Sequence, residues 1–469
     1  MNRKYQLCIL SVLVISLIFI FTGMNFAQEK SYEGVTIRGT FGKFNETYAL
    51  LDLCEEAAKQ LGMNVEFVWY ERDDVHKKYI LDRRMNNPVW DIVMVDSFWI
   101  GEWIAADVVT PINAFVEESP ELVDEDVLDL DDYYAPQIES FTYKGDLTGL
   151  PLYALGVCMF YRTDLFENPI EKENFKERYG YDLKVPETYK EFYDVVEFFT
   201  RKKGEKLMGE VLEHDFYGTV FSNKEGDFLW NDIDTIFMAF GADNIFDEKT
   251  LLPTFNSPQM IEAIKYYVSL NPFQPSGHIN MTSGEATSLT AQGYVALQIE
   301  YFIRGIEILL GPDSSVADKI SFTVNPSKEG VVGREHAAHM GGVAVGISSI
   351  SKNKEAAYKL LELAMSKEIM RKVFLEKGLS WHPARKSLLF DEEIREKYPF
   401  LKEADKLLSE DIYYFQHPAY LIPMYQECVY ICTKEMSKAL IGEKTPEQAC
   451  NDAQANLLEV FKREGYISE

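Results

Sequence analysis

The residue types best suited to chemistry in this chain are aromatic rings set beside carboxylates, amides and hydroxyls. They occur as Asp96-Ser97-Phe98-Trp99, Leu152-Tyr153, Trp230-Asn231-Asp232, Glu300-Tyr301-Phe302 and Ser380-Trp381-His382. A sugar has apolar CH faces and a rim of hydroxyls. A flat ring covers the faces, and carboxylates or amides bond the rim. Any one of these rings taken singly is better explained by core packing. As a set at expected loop ends they point to a carbohydrate. Constellations for bond-making do not accompany them. The sequence has no G-x-S-x-G elbow, no phosphate-binding P-loop, no H-E-x-x-H and no G-x-G-x-x-G after a strand. His336 and His339 form an H-x-x-H, but only Glu335 stands nearby, so loop histidines explain them better than a metal site. The 75 acids offer many carboxylate pairs, and none stands out as a glycosidase pair. The residues therefore read as a binding site without metal or cofactor, not as an enzyme.

Positioning these residues calls for strands that end where the polar groups begin. Val35–Phe41 reads as a strand, followed by a helix over 46–61 capped by Asn45 with Leu50, Leu51, Ala57, Ala58 and Leu61 on its apolar face. Val65–Trp69 is a second strand and 72–85 a charged helix. Asp91–Val95 is a buried strand ending at Asp96-Ser97. Strand, helix, strand, helix, strand is the order of a parallel sheet covered by helices, and ligands sit at the carboxyl ends of such strands. That singles out 41–45 and 96–99. Leu147–Phe166 then holds a Gly-Leu-Pro turn and the uninterrupted apolar run Val157–Tyr161. Pro151 forces an extended crossing before a new buried strand, as at a boundary between two domains. Further on, Thr188–Thr200, Phe228–Phe240 and a segment opened by Ser257-Pro258 read as helices. The segments 293–299, 320–324 and 343–347 read as strands.

With 469 residues, 46% of them hydrophobic, the chain is long enough for two cores. Arg3-Lys4, the apolar run 7–23 and Asn25-Phe26-Ala27 read as a secretory signal over 1–27, cleaved after Ala27. Cys8 lies inside the apolar run and the next cysteine is Cys54, so a lipid-anchoring cysteine is not expected. The formal charge is −28; removing 1–27, which holds two basic residues and no acid, takes it to −30. Such a surface repels nucleic acid and anionic headgroups. The acidic run 117–132 lacks the alternation of an EF-hand and reads as a solvated face. Cys54, Cys158, Cys428, Cys432 and Cys450 are too few and too sparse for a disulfide scaffold and are expected as free thiols.

Five segments together resemble one family. They are W-D-I-V-M-V-D-S-F-W-I-G-E-W-I-A-A-D-V-V-T-P-I (90–112), G-L-P-L-Y to M-F-Y-R-T-D-L-F (149–166), V-P-E-T-Y-K-E-F (185–192), G-G-V-A-V-G-I-S-S-I-S-K-N-K-E-A-A-Y-K-L-L (341–361) and P-A-R-K-S-L-L (383–389). In this order they are similar to the extracytoplasmic solute-binding proteins of ABC importers, in the branch that binds sugars and includes maltose-binding protein. The resemblance implies an α/β fold of the two-lobed, type II periplasmic-binding-protein kind, with a mixed, mainly parallel sheet in each lobe. It implies lobe one as 31–145 plus 288–340 and lobe two as 146–287 plus 341–469. It also implies an extracytoplasmic monomer that delivers a sugar or oligosaccharide to ABC permease subunits. Ligand positions carry over to Phe44, Asn45, Asp96, Ser97, Tyr153, Trp230, Glu300, Tyr301, Gly342, Trp381 and Tyr425. The chain has Gly-Gly-Val where many relatives have Gly-Gly-Trp, and no Trp in 300–302, so the sugar class stays open. A polyamine-binding relative of the same fold and an exported carbohydrate-active enzyme remain the alternatives.

Overall fold

Strand Thr36–Gly42 pairs in parallel with Asn64–Tyr70 on one side and with Ile92–Asp96 on the other. These pairs open the first sheet of the computed structural model, which describes residues 32–43, 45–153, 155–378, 383–409, 411–415 and 422–467. The expected leader, Phe44, Trp381 and the side chain of Asn45 lie outside the described residues. Ile92–Asp96 is buried along its whole length, as its apolar run requires. Helix Asn45–Leu61 covers the sheet with Leu50, Leu53, Cys54 and Ala57. Helices Lys354–Ala364 and Lys367–Lys377 pack against it. No helix among the described residues is long and apolar enough to cross a membrane.

The second sheet runs Tyr217–Thr219, Val295–Tyr301, Val157–Arg162, Ile320–Thr323. Helix Tyr189–Phe199 packs on its Tyr217–Thr219 edge. That helix starts with a reciprocal cap between Thr188 and Glu191, which satisfies two backbone donors and fixes its first turn. Asp227–Ala239, Pro258–Ser269, Tyr425–Leu440 and Pro446–Arg463 pack on one another beside this sheet.

Sheet membership corrects the expected partition. Val295–Tyr301 and Ile320–Thr323, expected in lobe one, pair antiparallel with Val157–Arg162. Val343–Ser348, expected in lobe two, pairs antiparallel with Ile92–Asp96, Val109–Thr110 and Leu150–Pro151. The chain returns to the first sheet at 339–342, not near 287. The sequence pattern of each strand reports its burial, and that does not encode which of two sheets it joins. The returning strand makes the first sheet mixed, and Val157–Arg162 makes the second mixed, each with a smaller parallel share than expected.

The acidic run is more than a solvated face. It forms short turns through Pro120–Leu122, Glu125–Leu128 and Leu130–Asp132. The side chain of Asp124 accepts from Val127 N and starts one of them. Arg385, 1% exposed, donates to the carbonyls of Val127, Leu128, Asp129 and Met365 and lies 4.6 Å from the Tyr133 ring. The five described cysteines are free and buried. Burial pushes the thiols of Cys428 and Cys450 up to about 12.

Candidate functional site

The strand ends of the two sheets meet at the crossing segments. Val343 lies opposite Asp96 in the first sheet, and Tyr301 lies opposite Val157 in the second. Asp96, Ser97, Tyr153, Tyr301 and Gly342 are thereby gathered from four separate stretches of chain. Ser97 N donates to Gly342 O at 3.1 Å, and Gly342 N donates to Ser97 Oγ at 3.2 Å. Gly342 has φ +110°, and a Cβ there would fall 1.6 Å from the Tyr153 hydroxyl. Only a residue without a side chain lets the crossing pass Tyr153 so closely.

Electrostatics tie residues of both sheets into one cluster. Burial works against the charge on Arg304, and the carboxylates of Glu300 and Glu46 outweigh it, so its pKa is raised. Arg304 belongs to helix Phe302–Leu309 after the second sheet's central strand, and Glu46 to the first turn of the helix after the first strand. Burial raises the pKa of Glu46, opposed by Arg304 and reinforced by Asp96. The Tyr153 phenol is raised well above its usual value by burial, then by Glu46 and Asp96. Glu307 is pushed up to about 7 by burial and by Glu46.

Glu300 itself is internally satisfied. It accepts from Ser283 Oγ at 2.6 Å, Thr287 Oγ1 at 2.9 Å and Tyr301 N at 2.7 Å, and it pairs with Arg304 at 3.3 Å. Its place is behind Arg304, holding that guanidinium. The Tyr301 hydroxyl lies 2.7 Å from His339 Nδ1 and 3.3 Å from Asn231 Oδ1. His339 is fully buried and its pKa falls to about 3, so the ring is neutral. His336 Nδ1 sits 2.6 Å from Asn325 O.

Two of the anticipated rings are buried among protein side chains. Trp230 is wholly buried, 5.6 Å from Phe237 and 6.2 Å from Phe255, in the core of the helical layer. It is a packing residue, because its turn of the Asp227–Ala239 helix faces neighbouring helices. Tyr425 is also buried; its hydroxyl donates to Asn244 Oδ1 at 2.7 Å and its ring lies 6.0 Å from Phe98. The residues not anticipated are Glu46, Arg72, Asp227 and Arg304. Glu46 lies in the first turn of the helix after the first strand, and Arg304 stands four residues after Glu300; both were readable signals. Arg72 and Asp227 carried none, being charges at helix starts like many others in the chain.

The arrangement offers carboxylate acceptors, guanidinium donors and phenols, which suits a rim of hydroxyls. Residues 43–371 match the profile of the bacterial extracellular solute-binding proteins. The chain belongs to that family. Among similar family members is the mannitol-binding protein of Pseudomonas aeruginosa, 23% identical over 419 residues, which span 86% of this chain and 87% of that protein. A probable amino-acid ABC transporter periplasmic-binding protein of Sinorhizobium fredii is 24% identical over 443 residues, 93% of this chain and 92% of the other. An ABC transporter solute-binding protein of Agrobacterium radiobacter K84, solved in complex with ribitol, superposes with a TM-score of 0.75 at 23% identity, over 92% of this chain and 100% of that one. The fold is accordingly that of the type II periplasmic binding proteins.

Proposed function

We propose that this family member captures a small polyhydroxylated solute, a polyol or a short sugar, and hands it to the permease subunits of an ABC importer outside the cytoplasmic membrane. One half is built round the first sheet, from 32–152 and 341–397. The other is built round the second sheet, from 153–340 and the C-terminal helices. The halves close on the solute as a monomer and do no bond chemistry. Contacts from both halves form only on closure, so binding shifts the open and closed populations.

The observation that carries this reading is the make-up of the junction. Glu46, Asp96, Tyr153, Tyr301 and Arg304 converge there, while rings suited to stacking, such as Trp230 and Trp103, are consumed in the cores. Among the described residues of the junction, hydroxyl-bonding groups outnumber rings free to stack, which favours an open-chain polyol over an oligosaccharide. The polyols named for the Pseudomonas and Agrobacterium relatives agree with that choice. The amino-acid relative and the acidic residues make amino acids and polyamines the natural controls.

A melting-temperature screen of the mature protein decides among them. Mannitol, ribitol or a close polyol is expected to raise Tm by about 3 °C at a hundredfold excess over Kd. If polyols and sugars leave Tm in place while an amino acid or a polyamine raises it, the ligand assignment is wrong. Tyr153→Ala removes a phenol from the cluster and is expected to weaken binding of the active solute by about tenfold, or about 1.4 kcal/mol. Calorimetry that returns an unchanged Kd would move the site away from this tyrosine.

A further inference from the structure

Arg72 connects elements that belong to the two halves. It stands at the start of helix Arg72–Met85, which packs on the first sheet. Its Nε donates to Asp96 Oδ2 at 2.8 Å, and its Nη1 pairs with Asp227 Oδ2. Asp227 opens the helix Asp227–Ala239, 155 residues further along the chain, and Asn231 of that helix accepts from the Tyr301 hydroxyl at the end of the second sheet's strand Val295–Tyr301. Both ends of the pair are fixed in place. The guanidinium carbon lies 4.9 Å from the Trp99 ring and 5.5 Å from the Phe98 ring, so its plane is held by cation–π contact. The other oxygen of Asp96 accepts from Phe98 N at 3.0 Å. The other oxygen of Asp227 accepts from Gln426 Nε2 at 2.5 Å. The amide ends of the Asp227–Ala239 helix favour a carboxylate in its first turn. Gly226, with φ +99°, sets that start; a Cβ there would come 2.8 Å from the Tyr430 ring. The Arg72 and Asp227 side chains are only 19% and 13% exposed. A pair so enclosed and pre-organised is not an ordinary surface ion pair, which contributes little.

We propose that Arg72 and Asp227 form a latch that biases the solute-free protein toward its closed form. The latch crosses the junction with protein groups alone, so part of the closing free energy is supplied before a solute arrives. Asp96 acts in it as a positioning residue: one oxygen is set by the backbone and the other aims the guanidinium at Asp227. The proposal rests on the reading of two closing halves, but it does not depend on which solute binds.

Small-angle X-ray scattering of the solute-free mature protein tests it. Arg72→Gln and Asp227→Asn are each expected to increase the radius of gyration by about 1 Å as the halves part. The double variant is expected to expand no further than either single one, because the two residues act through one contact. Arg72→Lys, which keeps the charge without the planar fork, should fall between. Thermal melts establish that each variant is folded. Scattering curves that superpose on the wild type for either single variant overturn the latch, as does expansion in the double variant equal to the two single effects combined. If polyols raise Tm while every variant scatters like the wild type, the latch alone falls. If the variants expand and no polyol or sugar raises Tm, the latch stands and the solute assignment falls.

Discussion

Arg385→Ala is expected to destabilise the protein by about 3–5 kcal/mol, the range for stripping a buried charge from its partners. The guanidinium serves the carbonyls of Val127, Leu128, Asp129 and Met365, with Asp132 at 3.7 Å. Alanine leaves these acceptors in a space that water fills poorly, and each unsatisfied group costs about 1–3 kcal/mol. The Tyr133 ring loses its cation as well. Arg385→Lys keeps one charge but cannot reach four carbonyls from a single ammonium, so about half the loss is expected to remain. Urea unfolding read by tryptophan fluorescence measures both. A midpoint for Arg385→Ala within error of the wild type would show that the segment 120–132 is held by other means. Solute affinity measured well below the unfolding transition is expected to change little, because the clasp lies outside the cluster round Arg304.

Gly342→Ala is expected to damage both stability and binding. The new Cβ would stand 1.6 Å from the Tyr153 hydroxyl, on a backbone with φ +110° that alanine adopts only under strain. Either the tyrosine or the crossing must move. Moving the crossing breaks its two hydrogen bonds with Ser97, which register the crossing against the end of the Ile92–Asp96 strand. A stability loss of about 2–3 kcal/mol is expected from overpacking and backbone strain together. Solute affinity is expected to fall at least about tenfold. Adding Tyr153→Ala relieves the steric part, so the double variant is expected to be more stable than Gly342→Ala alone by at least about 1 kcal/mol. A double variant less stable than Gly342→Ala would place the damage in the backbone and not in the contact with Tyr153.

The elements were more legible in the sequence than their assembly. Ile92–Asp96 declared itself because a strand covered on both faces is uniformly apolar. The helix Tyr189–Phe199 declared itself through an apolar stripe at helical spacing, Phe192, Val195, Val196 and Phe199. Assembly failed at Val295–Tyr301 and Val343–Ser348, where identical patterning serves opposite sheets. A local pattern reports whether a strand is buried, and nothing in it reports against what. The same limit explains Trp230: a ring beside Asn231 and Asp232 reads alike whether it faces a solute or Phe255. Charged residues posed the converse difficulty. Arg72, at the head of a helix rich in Lys, Arg and Asp, is indistinguishable in sequence from its solvated neighbours. Only the fold, which carries Asp227 to it from 155 residues away, separates them. Asp96 and Tyr153 stand at a strand end and beside a proline-marked crossing, features that leave local traces in the sequence.

The five thiols have a practical corollary for watching the molecule move. All are enclosed, and burial holds each thiol well above its ordinary pKa. Alkylating dyes attack the exposed thiolate, so the native protein should stay unlabelled while one engineered surface cysteine on each half reacts. A donor and acceptor attached in that way would report opening and closing as energy transfer on a background free of native label. The wild-type core would not need to be stripped of cysteine first.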